Sequence, residues 1–110
     1  MPIISGTRTP LHYDSLDNIF VQISGSKYVR LYGQDETNKL YVMKNNTTYG
    51  KQGNMSEIDC EREAFQKHPL AASARYEEVV LNPGDALFIP SKMWHYVRGL
   101  SRSISVNFWS

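Results

Sequence analysis

A single cysteine, Cys60, stands among the 110 residues of this chain, so no disulfide can form within it. Small secreted domains lean on several such bridges. Their absence points to a reducing compartment and leaves Cys60 as a plain small residue in a polar segment. No stretch approaches eighteen consecutive apolar residues, and the first fifteen residues lack the apolar core of a secretion signal. Neither a membrane span nor export is expected, and the chain reads as an intracellular protein of the nucleus or cytoplasm. An excess of one charge is also missing: twelve Lys and Arg against eleven Asp and Glu leave a formal net charge of +1. Without a basic run interleaved with aromatics, nucleic acid is not expected as a direct ligand.

What the chain does hold is apolar and aromatic material: 41% hydrophobic residues, with seven Tyr, four Phe and two Trp. That is enough for one domain with a core, over residues 1–110. The pattern is that of strands. Ile19, Val21 and Ile23 alternate with Asn18, Phe20, Gln22 and Ser24, the period of two that gives a strand two different faces. Gly25-Ser26 reads as a turn, residues 28–32 as a second strand, and the two together as a hairpin with Lys27 at the start of its return arm. Further strands are expected at 75–81, 86–89, 95–98 and 103–109, with Asn82-Pro83-Gly84-Asp85 as a tight turn. On the last strand the reading is that Ile104, Val106 and Phe108 face the core while Ser105, Asn107 and Trp109 form a small polar face over a ligand cavity. Residues 44–56 lack an apolar period and read as a mobile surface loop. Residues 61–67 fit one or two turns of helix ending before Pro69. Short strands at this spacing predict an all-β fold, a barrel or sandwich.

The residues with the most chemistry are His12 and Asp14, joined far along the chain by His95. In an extended strand residues i and i+2 point to the same side, so His12 and Asp14 can reach one ion together. Two imidazoles and one carboxylate can cap one face of an octahedral ion and leave the opposite face open, the ligand set of non-haem iron(II) oxygenases. An H-x-D alone is a weak signal. His68, before Pro69 in a polar segment, reads as a surface residue, and Trp94 as packing on the face opposite His95.

The surroundings of the H-x-D sharpen the reading. Thr9-Pro10-Leu11-His12-Tyr13-Asp14, the run from Asn18 to Lys27, Pro83-Gly84-Asp85-Ala86-Leu87-Phe88-Ile89-Pro90, Trp94-His95 and Asn107-Phe108-Trp109 follow one another in an order that resembles the JmjC-domain oxygenases. Within them the chain is most similar to the small protein hydroxylases. The resemblance runs from about Gly6 to Trp109. It implies a double-stranded β-helix of the jelly-roll, cupin-like type, with His12, Asp14 and His95 as catalytic iron(II) ligands, and 2-oxoglutarate and dioxygen as cosubstrates.

Carried over by motif, Lys27 is implied to pair with the far carboxylate of 2-oxoglutarate. A compact ammonium at fixed depth suits that task. Thr9 matches a hydroxyl donor to the same carboxylate, and Asn18, Phe20, Asn107 and Trp109 match positions around the cosubstrate. Phe20 fits core packing equally well, and Trp109 fits a half-exposed sheet face. The family's N-terminal strands, one of which gives an aromatic hydroxyl to 2-oxoglutarate, have no counterpart before His12, and its C-terminal helices have none after Ser110. The expectation is therefore an oxygenase hydroxylating a side chain of a protein or peptide substrate. A non-catalytic cupin-fold scaffold or incomplete fragment, a histone lysine demethylase, and another metal cupin acting on a small substrate stand as alternatives. Target residue and oligomeric state are not readable.

Overall fold

Alternation decides the strands. The computed structural model describes residues 2–3, 7–43, 54–62 and 66–110. Within them seven strands make two antiparallel sheets: β1 (Pro2–Ile3), β2 (Asn18–Ser24), β3 (Lys27–Tyr32), β4 (Glu77–Leu81), β5 (Ala86–Ile89), β6 (Trp94–Gly99) and β7 (Ser103–Trp109). One sheet has the order β1-β7-β2-β5 and the other β4-β3-β6. The chain passes from one sheet to the other between β2 and β3, β4 and β5, β5 and β6, and β6 and β7. That winding is the double-stranded β-helix, whose inner faces enclose Phe20, Val29, Leu81 and Val97. A second apolar cluster lies outside the β4-β3-β6 sheet, where Tyr32, Trp94 and Tyr96 meet Leu11, Leu40, Ile58, Cys60 and Ala74.

The hairpin expected from β2 and β3 does not form. The two strands lie in different sheets: β2 pairs with β5 and β7, β3 with β4 and β6. Gly25, at φ +68°, turns a corner between sheets, and a Cβ there would collide with the Arg102 carbonyl oxygen. A two-residue turn signal is the same for a hairpin and for such a corner. The partner is chosen by sheet-on-sheet packing.

The faces of the β1-β7-β2-β5 sheet also correct the reading of the last strand. Ile104, Val106 and Phe108 are 47%, 41% and 59% exposed, whereas Ser103 and Ser105 are buried. Ile19 lies opposite both Phe88 and Phe108, and all three are exposed. The apolar face therefore points outward and the small polar face inward. The polar face is buried for Ser103 and Ser105 only, since Asn107 and Trp109 open to solvent at the strand's end.

His68 is buried against the Tyr41 ring rather than lying on the surface. The helix expected over 61–67 is not seen in its described parts, which are turns, while residues 63–65 lie outside the described residues. Two short 3-10 helices, Gln34–Lys39 and Pro69–Ser73, occur instead. The loop expected over 44–56 falls outside the described residues except at its end. There Ser56 is buried and its N–H bonds to the Leu11 carbonyl at 3.0 Å. Among the described residues, no helix is long and apolar enough to cross a membrane.

Candidate functional site

His12 sits in a short extended segment beside β6. It exchanges two backbone hydrogen bonds with His95, His12 N to His95 O at 3.1 Å and the reverse at 2.8 Å. A pair that exchanges both bonds has its side chains on one face of the ladder. The imidazole centroids accordingly stand 4.4 Å apart. Leu11, one residue earlier, is buried in the outer cluster, and Tyr13, one later, packs edge-on against Trp94 at 4.9 Å. These two apolar anchors turn His12 and Asp14 the other way, as strand alternation requires.

The three candidate ligands converge. Asp14 Oδ2 lies 3.7 Å from His12 Nε2 and 3.7 Å from His95 Nε2, and the ligand atoms all fall within 4.8 Å of one another. Three mutually adjacent donors at about 2.1 Å from one first-row ion would stand about 3 Å apart, so small rotamer adjustments close the set.

The imidazoles are also presented in the right protonation pattern. His12 Nδ1 is 2.8 Å from the Pro10 carbonyl oxygen and His95 Nδ1 is 3.0 Å from that of Met93. A carbonyl only accepts, so Nδ1 carries the proton in both rings, and both Nε2 lone pairs point at the common centre. Burial, then the neighbouring His12, holds the His95 pKa below its ordinary value. The ring is therefore neutral and able to ligate at pH 7.

Lys27 opens β3 and reaches across the barrel. Its side chain is 0% exposed. The ammonium donates to Ser105 Oγ on the opposite sheet and lies 4.8 Å from the centroid of the Phe20 ring. Burial lowers its pKa. No carboxylate pairs with it among the described residues. Lys27 and Leu31 point to the same side of β3, and Leu31 is the register partner of His95. The step of four residues from Lys27 to Leu31 spans about 13 Å of strand, a gap that a lysine arm and a five-carbon diacid are together long enough to bridge. Asn18, only 3% exposed, faces the same interior, with Nδ2 3.4 Å from Asn107 Oδ1 and its own Oδ1 without a partner among the described residues.

Thr9 and Trp109 border two separate cavities. Thr9 Oγ1 accepts from Val97 N at 3.1 Å, and Thr9 lines a cavity of about 240 Å³ with Arg8, Ile58, Asp59 and Tyr96. Neither Lys27 nor any of the three ligands borders that cavity. Trp109 is 48% exposed and, with Ser15 and Leu16, borders a cleft of about 320 Å³ that also touches Asp14. Sequence reading missed Leu16 in this role. An exposed leucine has no periodic partner to flag it, and only the fold brings it beside Trp109. Cys60 is buried and its thiol is pushed up to about 12 by burial, which leaves it unreactive.

Residues 4–109 match the family model described as the cupin-like domain. The chain belongs to the cupin-like, JmjC-type domain family. Relatives bear this out. The chain is 47% identical to JmjC domain-containing protein F of Dictyostelium discoideum, an alignment covering 94% of this chain and 24% of that protein. It is 44% identical to lysine-specific demethylase 8 of Xenopus tropicalis, covering 96% and 23%. It therefore spans about a quarter of the length of these relatives. Among solved structures, a mutant of the Bacillus subtilis oxalate decarboxylase OxdC superposes with a TM-score of 0.60 at 13% identity, over 99% of this chain and 19% of that one. The Drosophila melanogaster CENP-C cupin domain gives 0.59 at 10%, over 100% and 57%. At such identities these structures speak for the cupin fold alone.

Proposed function

We propose that this cupin-like domain is the catalytic part of an iron(II)- and 2-oxoglutarate-dependent oxygenase that hydroxylates a side chain of a protein. The observation that carries the reading is the pairing of two features in one barrel. A two-histidine, one-carboxylate set has both Nε2 lone pairs free, and a fully buried lysine has no carboxylate partner among the described residues. A buried ammonium with a hydroxyl as its hydrogen-bonding partner is costly, and an anion in the barrel relieves that cost. A metal cupin acting on a neutral substrate would leave such a lysine unneutralised.

In this reading His12, Asp14 and His95 hold the iron. When bound, iron(II) with 2-oxoglutarate and dioxygen supplies the oxidative chemistry, and the cosubstrate leaves as succinate and carbon dioxide. The chain's own residues bind, orient and exclude water. Lys27 neutralises the far carboxylate, Ser105 holds the ammonium in place, and Phe20 walls the site against solvent. The cleft between Leu16 and Trp109, open beside Asp14, is where a substrate side chain approaches. A second reading, lysine demethylation, is favoured by the name of the Xenopus relative. It uses the same oxidation on an N-methyl carbon.

Two measurements test the proposal. Iron-dependent conversion of 2-oxoglutarate to succinate is expected in wild type and is expected to disappear in His12→Ala and Asp14→Ala. Titration of 2-oxoglutarate into manganese-loaded protein is expected to saturate below millimolar concentration. Absence of both succinate and binding would sink the oxygenase reading and leave a non-catalytic cupin module.

A further inference from the structure

Asp14 is the one candidate ligand outside any ladder that would hold it to the other two. His12 and His95 are tied to each other by their exchanged backbone bonds. The Asp14 carboxylate meets only the two imidazoles among the described residues, so its place depends on how residues 14–17 are held. Those residues are stitched to the turn between β5 and β6. Lys92 N donates to the Asp14 carbonyl at 2.7 Å, Ser91 Oγ to the Ser15 carbonyl at 2.8 Å, and Ser91 N to Asp17 Oδ1 at 2.7 Å. The same turn ends at Met93, whose carbonyl takes the His95 Nδ1 proton.

Asp17 is a fixed post in this arrangement. It exchanges backbone bonds with Ser110 at 2.9 and 3.0 Å, just past the end of β7. The turn itself is held in an unfavourable backbone: Lys92 has φ +66°, a region that resists any side chain. That conformation aims the Lys92 N–H at Asp14, and Gln34 Nε2 holds the Lys92 carbonyl from the other side. One turn thus sets both the loop that carries Asp14 and the ring that carries the His95 lone pair.

We propose that Asp17 and Ser91 are positioning residues of the metal centre, setting the separation of the Asp14 carboxylate from His95 without touching the ion. The proposal rests on the metal-centre reading above. It differs from a general stabilising role in that it predicts a change in the ligand field as well as in the fold.

The test is titration with cobalt(II), read by its visible absorption, on wild type, Asp17→Ala, Asp17→Asn and Ser91→Ala, with thermal unfolding of each metal-free protein alongside. Asp17→Ala is expected to bind cobalt at least about tenfold more weakly, the usual range for a group that orients a ligand, and to shift the visible bands at saturation. Asp17→Asn keeps an oxygen that accepts from Ser91 N. It is expected to stay within about threefold of wild type, with wild-type bands. Ser91→Ala is expected to fall between these two, and it carries the test if Asp17→Ala does not fold.

Wild-type affinity and bands in Asp17→Ala, or in Ser91→Ala where Asp17→Ala is unfolded, would overturn the proposal. So would an Asp17→Asn protein as impaired as Asp17→Ala, since hydrogen-bond geometry would not be the cause. Cobalt-binding wild type with unaltered variants defeats only this inference, whereas a wild type that binds no cobalt defeats the metal-centre reading beneath it.

Discussion

The two faces of the β1-β7-β2-β5 sheet invert the usual arrangement. Its inner face carries Asn18, Gln22, Ser103 and Ser105 around Phe20, and its outer face carries Ile19, Ile23, Phe88, Ile104, Val106 and Phe108, each more than 40% exposed. Burial of apolar area alone would place them the other way round. What pulls the polar face inward is the opposite sheet. β3 sends Lys27 across the barrel, and an ammonium needs hydroxyls and amides there, not methyl groups. The contrast teaches that the inside of this fold is polar around Lys27, while much of its apolar packing lies elsewhere, in the cluster around Trp94 and Leu40. A contiguous apolar face of this extent is unusual for an isolated monomer in water.

The sharpest way to test that contrast is to remove the charge at its centre. Lys27→Ala is expected to weaken 2-oxoglutarate binding by about 2 kcal/mol or more, roughly thirtyfold, while metal affinity stays the same. Titration calorimetry with manganese-loaded protein reads both. In the ligand-free protein, Lys27→Met is expected to raise the unfolding temperature, because it removes a buried charge without an ionic partner. A fall would mean that the ammonium is already neutralised.

A smaller effect is expected from the apolar part of the same interior. Val97→Ala, beside Phe20 and Val29, should destabilise by about 1 to 3 kcal/mol in chemical unfolding, from lost burial and the cavity left behind.

The ring of His95 gives a pH dependence whose sign follows from its burial. Its folded pKa lies below the unfolded one, so the unfolded chain takes up the proton first as pH falls. Stability is therefore full above about 6.5 and declines as pH drops through and below that value. Metal affinity should decline over the same range, because protonated imidazoles cannot ligate. His95→Ala should flatten the stability profile. If the profile keeps its slope in that variant, another group is responsible.

The smallest effect should come from the outer face. Ile104→Thr keeps a β-branched side chain and is expected to change stability by no more than about 0.5 kcal/mol. A loss as large as that of Val97→Ala would show that the outer face is covered in solution.

Much of the fold was legible. Alternation located strands at 86–89 and 103–109 with the bounds they have, and four other motifs fell close to theirs. The H-x-D spacing put His12 and Asp14 on one side of an extended segment, and the structure brings both to His95. Lys27 was legible only through family resemblance, since a lysine after Gly-Ser is an ordinary turn residue by itself. The errors share one cause. Period-two alternation separates the faces of a strand without saying which is inside, so it cannot tell that Ile104, Val106 and Phe108 face outward. Turn chemistry at Gly25-Ser26 marks a reversal without choosing the strand's partner. His68 was read as surface from its polar neighbours, yet the Tyr41 ring buries it.

By itself the sequence determined the local terms: where strands begin and end, that His12 and Asp14 point the same way, and that no disulfide can brace the fold. Those follow from backbone sterics and spacing along the chain, which need no distant partner. Only the tertiary structure decided that Lys27 meets Ser105, that Ser91 and Asp17 join the ligand loop to the turn before His95, that Thr9 takes the Val97 N–H, and which face of β7 is inside. Each of these is a contact between residues far apart in sequence, set by how two sheets close over a cavity, and periodicity along one strand carries no information about the other.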